Sequence, residues 1–159
     1  MDKPDAHTEG LKLLAGRELS VEGLRARLED RGYASDDIDQ AIARLLDSGA
    51  LDDGRVARAF ARTAAAVKRR GRMRVMRELL QMGIRNDVAA EALGEVYGDL
   101  DERTLIDEAL RRKLRGRTRL TDQHESARIY QFLMRQGFSP AGVTAALRKL
   151  RGGRPLDQD

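Results

Sequence analysis

Leu28-Glu29-Asp30-Arg31-Gly32-Tyr33, with Ile38 and Ile42 following, is one of three versions of a single phrase in this chain. The second is Leu79, Gly83, Ile84, Val88 and Leu93, and the third is Leu133, Gly137, Phe138, Val143 and Leu147. Each time a Leu stands four residues before a Gly, and a large apolar residue follows the Gly. Another apolar residue stands ten places beyond it. The glycines lie 51 and 54 residues apart. A period that long means stacked copies of one supersecondary unit.

Each unit reads as three helices, so the predicted fold is all-α: three tandem three-helix repeats of helix-turn-helix type in an elongated, curved array. Repeat 1 covers 5–50, repeat 2 covers 51–100, repeat 3 covers 101–151, and 152–159 is a tail expected to be disordered. In repeat 1, Leu11 and Leu14 mark a short helix stopping near Gly16. Ser20 caps a second helix carrying Val21, Leu24 and Leu28, and Gly32 ends it as a left-handed cap. Ser35 is expected to cap a third, with Ile38, Ile42, Leu45 and Leu46 on its apolar stripe.

In repeat 2, Asp52 or Asp53 starts a long helix reaching about Arg70, broken by Gly71. Met73 to Met82 form the middle helix, and Asn86 is expected to cap the last. In repeat 3, Leu105, Ile106, Ala109 and Leu110 mark the first helix. The second runs from about Thr121 to Gln136, and Ser139-Pro140 opens the third, with proline where a missing N–H costs nothing. Tyr33, Ile84 and Phe138 are expected to be buried wedges between second and third helices.

The chain has 159 residues, 41% hydrophobic and 35% charged, with only 4% aromatic. Packing therefore falls to Leu, Ala, Ile, Val and Met, and the alanines favour helix. With no Cys, disulfides, thiolate metal sites and Cys nucleophiles are excluded. No run approaches the roughly 18 apolar residues of a membrane span, and Met1 to Gly10 lacks a signal segment, so a cytoplasmic protein is expected. His7 and His124 are isolated. Asp36, Asp37 and Asp39 suit the start of a helix rather than a metal site. No catalytic constellation, phosphate loop, metal site or cofactor is predicted.

The positive signal is arginine: 25 of the 30 basic residues. By sequence position the charge is −4 over residues 1–50, +3 over 51–100 and +5 over 101–159. Arg55, Arg58, Arg62 and Arg69 are spaced to share about a 60° arc of the helix from Asp53. Val56, Phe60, Ala64 and Val67 fall opposite. The stripe continues through Arg70, Arg72, Arg74 and Arg77. Repeat 3 has a matching cluster: Arg111, Arg112, Lys113, Arg115, Arg117 and Arg119. Two such clusters at comparable places make a track for phosphates, and the scarcity of free aromatics argues against sequence-specific readout.

The run Gly49-Ala50-Leu51-Asp52-Asp53-Gly54-Arg55-Val56-Ala57 resembles the signature that follows the first repeat in the RecX family. Gly71-Arg72-Met73-Arg74-Val75 with Glu78-Leu79 and Gly83-Ile84 is similar to its second repeat, and Phe132 to Ser139 to its last. Arg17-Glu18-Leu19-Ser20 and Leu24 fit as well. Gly23 and Val56 depart from the family pattern, and no proline follows the Gly71 segment. The resemblance implies a non-enzymatic modulator of the RecA recombinase, and a monomer is expected. Such a protein binds RecA–DNA filaments and limits filament growth, ATP hydrolysis and strand exchange in recombination, DNA repair and the SOS response. Its implied partners are RecA, the RecA–DNA filament, and single- or double-stranded DNA without sequence specificity. The alternatives are a stand-alone helix-turn-helix DNA-binding regulator, which needs base-reading residues on its third helices, and a pure protein scaffold.

Overall fold

The computed structural model describes residues 2–152, and nine α-helices make up the regular structure among them. They are α1 (Ala6–Gly16), α2 (Val21–Asp30), α3 (Ser35–Asp47), α4 (Asp53–Ala66), α5 (Arg72–Gln81), α6 (Asn86–Tyr97), α7 (Glu102–Leu114), α8 (Gln123–Gln136) and α9 (Pro140–Arg151). The expected tail falls outside the described residues except for Gly152, which closes α9.

The repeated phrase is a helix-ending motif made three times over. Gly32, Gly83 and Gly137 have φ of +81°, +79° and +96°, a left-handed conformation in which a side chain is strained. The residue after each Gly donates its N–H five residues back to the repeat's Leu: Tyr33 to Leu28 (3.1 Å), Ile84 to Leu79 (3.2 Å) and Phe138 to Leu133 (3.4 Å). Each Gly N–H closes the shorter bond inside, to Glu29, Leu80 and Met134. This double closure is the Schellman motif, which brings its last residue against the residue whose carbonyl it caps. The spacing of Leu, Gly and apolar residue follows from that geometry.

The carbonyl just before each Gly is left over at the helix end and must find a donor. Met82 O accepts from Ser20 Oγ at 2.7 Å, and Gln136 O accepts from Gly71 N at 2.7 Å. Ser20 and Gly71 stand 51 residues apart, at equivalent places in successive repeats. The start of each middle helix is thus fastened to the turn of the next repeat. In the turn of repeat 1, Lys3 Nζ donates to Arg31 O at 2.5 Å.

Two compact units are distinguishable, and they cut across the three-repeat division. One comprises Met1–Ala59 with Glu78–Ala92, the other Phe60–Arg77 with Leu93–Asp159. In the first, α1 packs on α3 and α2, and Leu24, Leu28, Ile38 and Leu45 are fully buried. Buried Gly10 lets α1 approach Leu45 closely; an added Cβ there would lie 2.9 Å from that side chain. In the second, α9 packs on α7 and α8, and Ile106, Leu110, Leu133, Phe138 and Val143 form the interior. Buried Gly71 abuts the α8–α9 turn: a Cβ would lie 2.4 Å from Gly137 C and O.

Several local expectations are corrected. Ser35 is the first residue of α3; the cap position is Ala34, which makes no side-chain bond. Asn86 likewise begins α6. Asp52 caps α4, accepting the Arg55 N–H at 3.0 Å, while Asp53 reaches back to the Val21 N–H at 2.9 Å. Helix α4 ends at Ala66, not Arg70, because Arg69 turns left-handed (φ +52°). Its buried face is Val56, Ala57, Ala61, Ala64 and Ala65, whereas Val67 is 58% exposed. Small alanines allow close packing, so the face rotates away from Phe60, which is half-buried. Leu11 and Leu46 are exposed. Ile84 and Phe138 are buried as expected, but Tyr33 is half-buried: Lys3 lies 3.9 Å over its ring and its hydroxyl donates to Pro4 O.

Candidate functional site

The two units differ more sharply in charge than the three stretches of sequence do. The first carries 10 basic and 16 acidic side chains, net −6; the second carries 20 and 10, net +10. Folding assigns the basic half of repeat 2, Arg62 to Arg77, to the unit that holds repeat 3.

All but one of the predicted basic residues fall into two groups. One group has structural work. Arg55 bonds Glu18 (3.0 Å) and the carbonyls of Gly49 and Ala50. Arg58 lies beside Gly54. Arg69 sits off the end of α4, bonded to Ala66 O and 3.3 Å from Glu108, so it leaves the predicted stripe. Arg70 is half-buried, and its carbonyl accepts the Tyr97 hydroxyl. Half-buried Arg74 bonds Gln136 Oε1 at 3.1 Å. Arg112 bonds Val67 O at 2.9 Å. Arg111, Arg112 and Lys113 occupy the last turn of α7, where positive charge offsets the negative helix end.

The other group is exposed and pairs with no acid among the described residues: Arg62, Arg72, Arg77, Arg115 and Arg119. Arg115 is left-handed (φ 49°) and, with Gly116, turns the chain out of α7. These five are the predicted residues able to meet an anion without releasing a bond in the protein.

Arg117 belongs to neither group. It pairs with Glu125, a carboxylate only 6% exposed that also accepts from Thr121 N at 2.7 Å and Thr121 Oγ1 at 2.6 Å. The Thr121 hydroxyl and N–H, then Arg117, hold Glu125 down from its ordinary 4.5 to about 2. A lowered carboxylate pKa adds stability above the unfolded value and loses it as pH falls toward the folded one. Wild type and Glu125→Gln are therefore expected to separate in thermal stability above about pH 4.5 and converge near pH 2. Parallel curves across that range would mean that the carboxylate is not held by these donors.

Two residues missed by the sequence reading join the basic surface, Arg128 and Arg135 on α8. Both are exposed. With Lys113, Arg117, Gln131 and Phe132 they line a groove of about 550 Å³. Helical spacing carries the signal that could have found them: positions 128, 132 and 135 share one face. Phe132 is half-buried, with Lys113 Nζ 4.8 Å from its ring centroid. Among the described residues no His, Cys, Asp and Glu group could hold a metal ion, and no helix is long and apolar enough to cross a membrane.

Comparison with known proteins matches three successive family domains to the chain. The RecX first three-helix domain matches residues 6–45, the second 52–93 and the third 101–147. Regulatory protein RecX of Chromohalobacter salexigens is 36% identical over 140 residues, covering 87% of this chain and 88% of that protein. Regulatory protein RecX of Pelodictyon phaeoclathratiforme is 30% identical over 147 residues, covering 92% and 89%. The crystal structure of RecX from Lactobacillus salivarius superposes with a TM-score of 0.74 over 91% of this chain and 94% of its own, at 20% identity. The helical fold, the thrice-repeated turn and the matched domains agree: this chain belongs to the RecX family of regulatory proteins.

Proposed function

We propose that this protein is a non-enzymatic modulator of a RecA-type recombinase, acting on the recombinase–DNA filament to limit its growth and its ATP hydrolysis. Family membership supports the partner. The observation that carries the reading is the division of charge, −6 on one compact unit and +10 on the other. A filament of protein on nucleic acid offers phosphates and protein side chains together, and the basic unit suits the phosphates. Like repeats also suit a partner that repeats. A sequence-reading regulator is disfavoured, because the third helices of repeats 1 and 2 carry Asp36, Asp37, Asp39 and Asp87, Glu91, Glu95 where base-reading residues would be needed.

The test is RecA's single-strand-dependent ATP hydrolysis with this protein titrated in at moderate salt. Inhibition well below one copy per RecA is expected. No effect at equimolar amounts, with DNA binding intact, would reject the reading. Reversal of Arg72 and Arg77 to Glu is expected to raise the half-inhibitory amount roughly tenfold, equivalent to about 1.4 kcal/mol. The melting curve should stay unchanged, since both side chains are exposed. Reversal of Asp30 and Asp36 to Lys should change inhibition less. Arg70 and Arg74 are unsuitable for this comparison, because both are half-buried and reversing them disturbs the fold.

A further inference from the structure

We infer that the groove between the end of α7 and the outer face of α8 is a binding site for a single polynucleotide strand. It rests on the filament reading only in taking nucleic acid as the ligand. Leu114 and Ile129 are buried beneath it, and Phe132 forms part of the wall. Four basic side chains line it: Lys113, Arg117, Arg128 and Arg135. Its one carboxylate, Glu125, is already engaged by Arg117 and Thr121. A ligand here therefore meets unopposed positive charge over an apolar floor.

A second groove in the same unit makes the contrast. There two arginines, Arg62 and Arg69, face four carboxylates, Glu95, Asp99, Asp101 and Glu108, so negative charge is in excess and no anion is favoured. The α7–α8 groove has the opposite excess.

Arg128 and Arg135 are seven residues apart on one helix, about 10.5 Å along its axis. That separation spaces two positive charges along a backbone rather than converging them on one anion. Phe132 lies between them, and its ring is already in contact with a cation, Lys113. When a strand enters, the two arginines and Lys113 take phosphates and the ring meets a base or sugar face. Stacking of this kind tolerates any base.

The test is fluorescence anisotropy of the full chain with fluorescein-labelled oligo(dT), without RecA, across a salt series. Arg128→Glu/Arg135→Glu is expected to weaken binding at least tenfold. It should also flatten the log–log salt slope by about 1.4, the contribution of two single-strand phosphates. Arg128→Lys/Arg135→Lys should keep most of the slope. Arg148→Glu on α9, outside this groove, should keep both affinity and slope. An unchanged melting curve for the double Glu variant excludes unfolding as the cause. Wild-type affinity in the double Glu variant would overturn the inference, as would a wild-type protein that does not bind oligo(dT). Competition by poly-glutamate as strong as by unlabelled oligo(dT) would overturn it too, marking the groove as a surface for acidic peptides. The RecA assay is independent: strand binding through this groove without inhibition rejects the proposed function alone, and inhibition by a wild-type protein that does not bind oligo(dT) rejects the groove alone.

Discussion

Gly137→Ala is expected to destabilise the protein by about 3 kcal/mol or more. Two penalties coincide there. The residue is left-handed, with φ +96°, which costs an L side chain roughly 1–2 kcal/mol. The added Cβ would also fall 2.3 Å from Arg74 N and 2.4 Å from Arg74 Cβ. Main-chain atoms at the start of α5 cannot rotate away, so the helix must shift, and overpacking of this kind costs about 1–3 kcal/mol. Two further variants separate the penalties. Gly49→Ala meets a φ of +78° with nothing within 4 Å, so only backbone strain remains, about 1 kcal/mol. Gly71→Ala has no left-handed strain but meets Gly137 C and O at 2.4 Å, so only the clash remains. Urea melts should rank the losses with Gly137→Ala first and Gly49→Ala last. A loss below about 1 kcal/mol at Gly137 would mean that α5 does not lie against this turn.

The turn itself was readable in the sequence, because Leu-x-x-x-Gly-apolar is a local motif whose geometry needs nothing from the rest of the chain. What the turn touches was not. Gly71 looks like a helix breaker in isolation; its closeness to Gly137, 66 positions away, appears only in three dimensions. The same limit governs the arginines. Spacing placed Arg55 and Arg69 on one stripe with Arg58 and Arg62, but Glu18 and the repeat-junction carbonyls claim Arg55, and a left-handed turn at the end of α4 removes Arg69. A run of charge shows that cations are close in sequence. It does not show which of them already have partners. Arg128 and Arg135 were overlooked for the converse reason: seven positions apart in an otherwise mixed helix, they form no run, and only the helical face unites them with Lys113.

Phe138→Ala is expected to cost about 3–5 kcal/mol, the usual range for emptying a buried aromatic site. Phe138 is completely inaccessible. It follows the left-handed Gly137 and precedes Ser139, whose hydroxyl accepts the Gly142 N–H at 3.1 Å to start α9. Ser139 also donates N–H and hydroxyl to Glu102 at 2.7 Å, fastening the corner to α7. The ring therefore sits where α7, α8 and α9 converge, and no exposed group can replace it. Tyr33→Ala, at the equivalent place in repeat 1, should lose only about 1–2 kcal/mol, because Tyr33 is half-buried and its hydroxyl makes one bond, to Pro4 O at 2.7 Å. Equal losses at the two positions would show that the Lys3–Pro4 segment closes the turn of repeat 1 as tightly as a preceding repeat closes the turns of repeats 2 and 3. The comparison also bears on function. Phe138→Ala should weaken strand binding in proportion to the unfolded fraction and recover at lower temperature, whereas the Arg128 and Arg135 reversals should weaken it at every temperature with the fold intact. A Phe138→Ala protein that stays folded yet has lost the groove's salt slope would mean that this corner sets the position of α8's basic face.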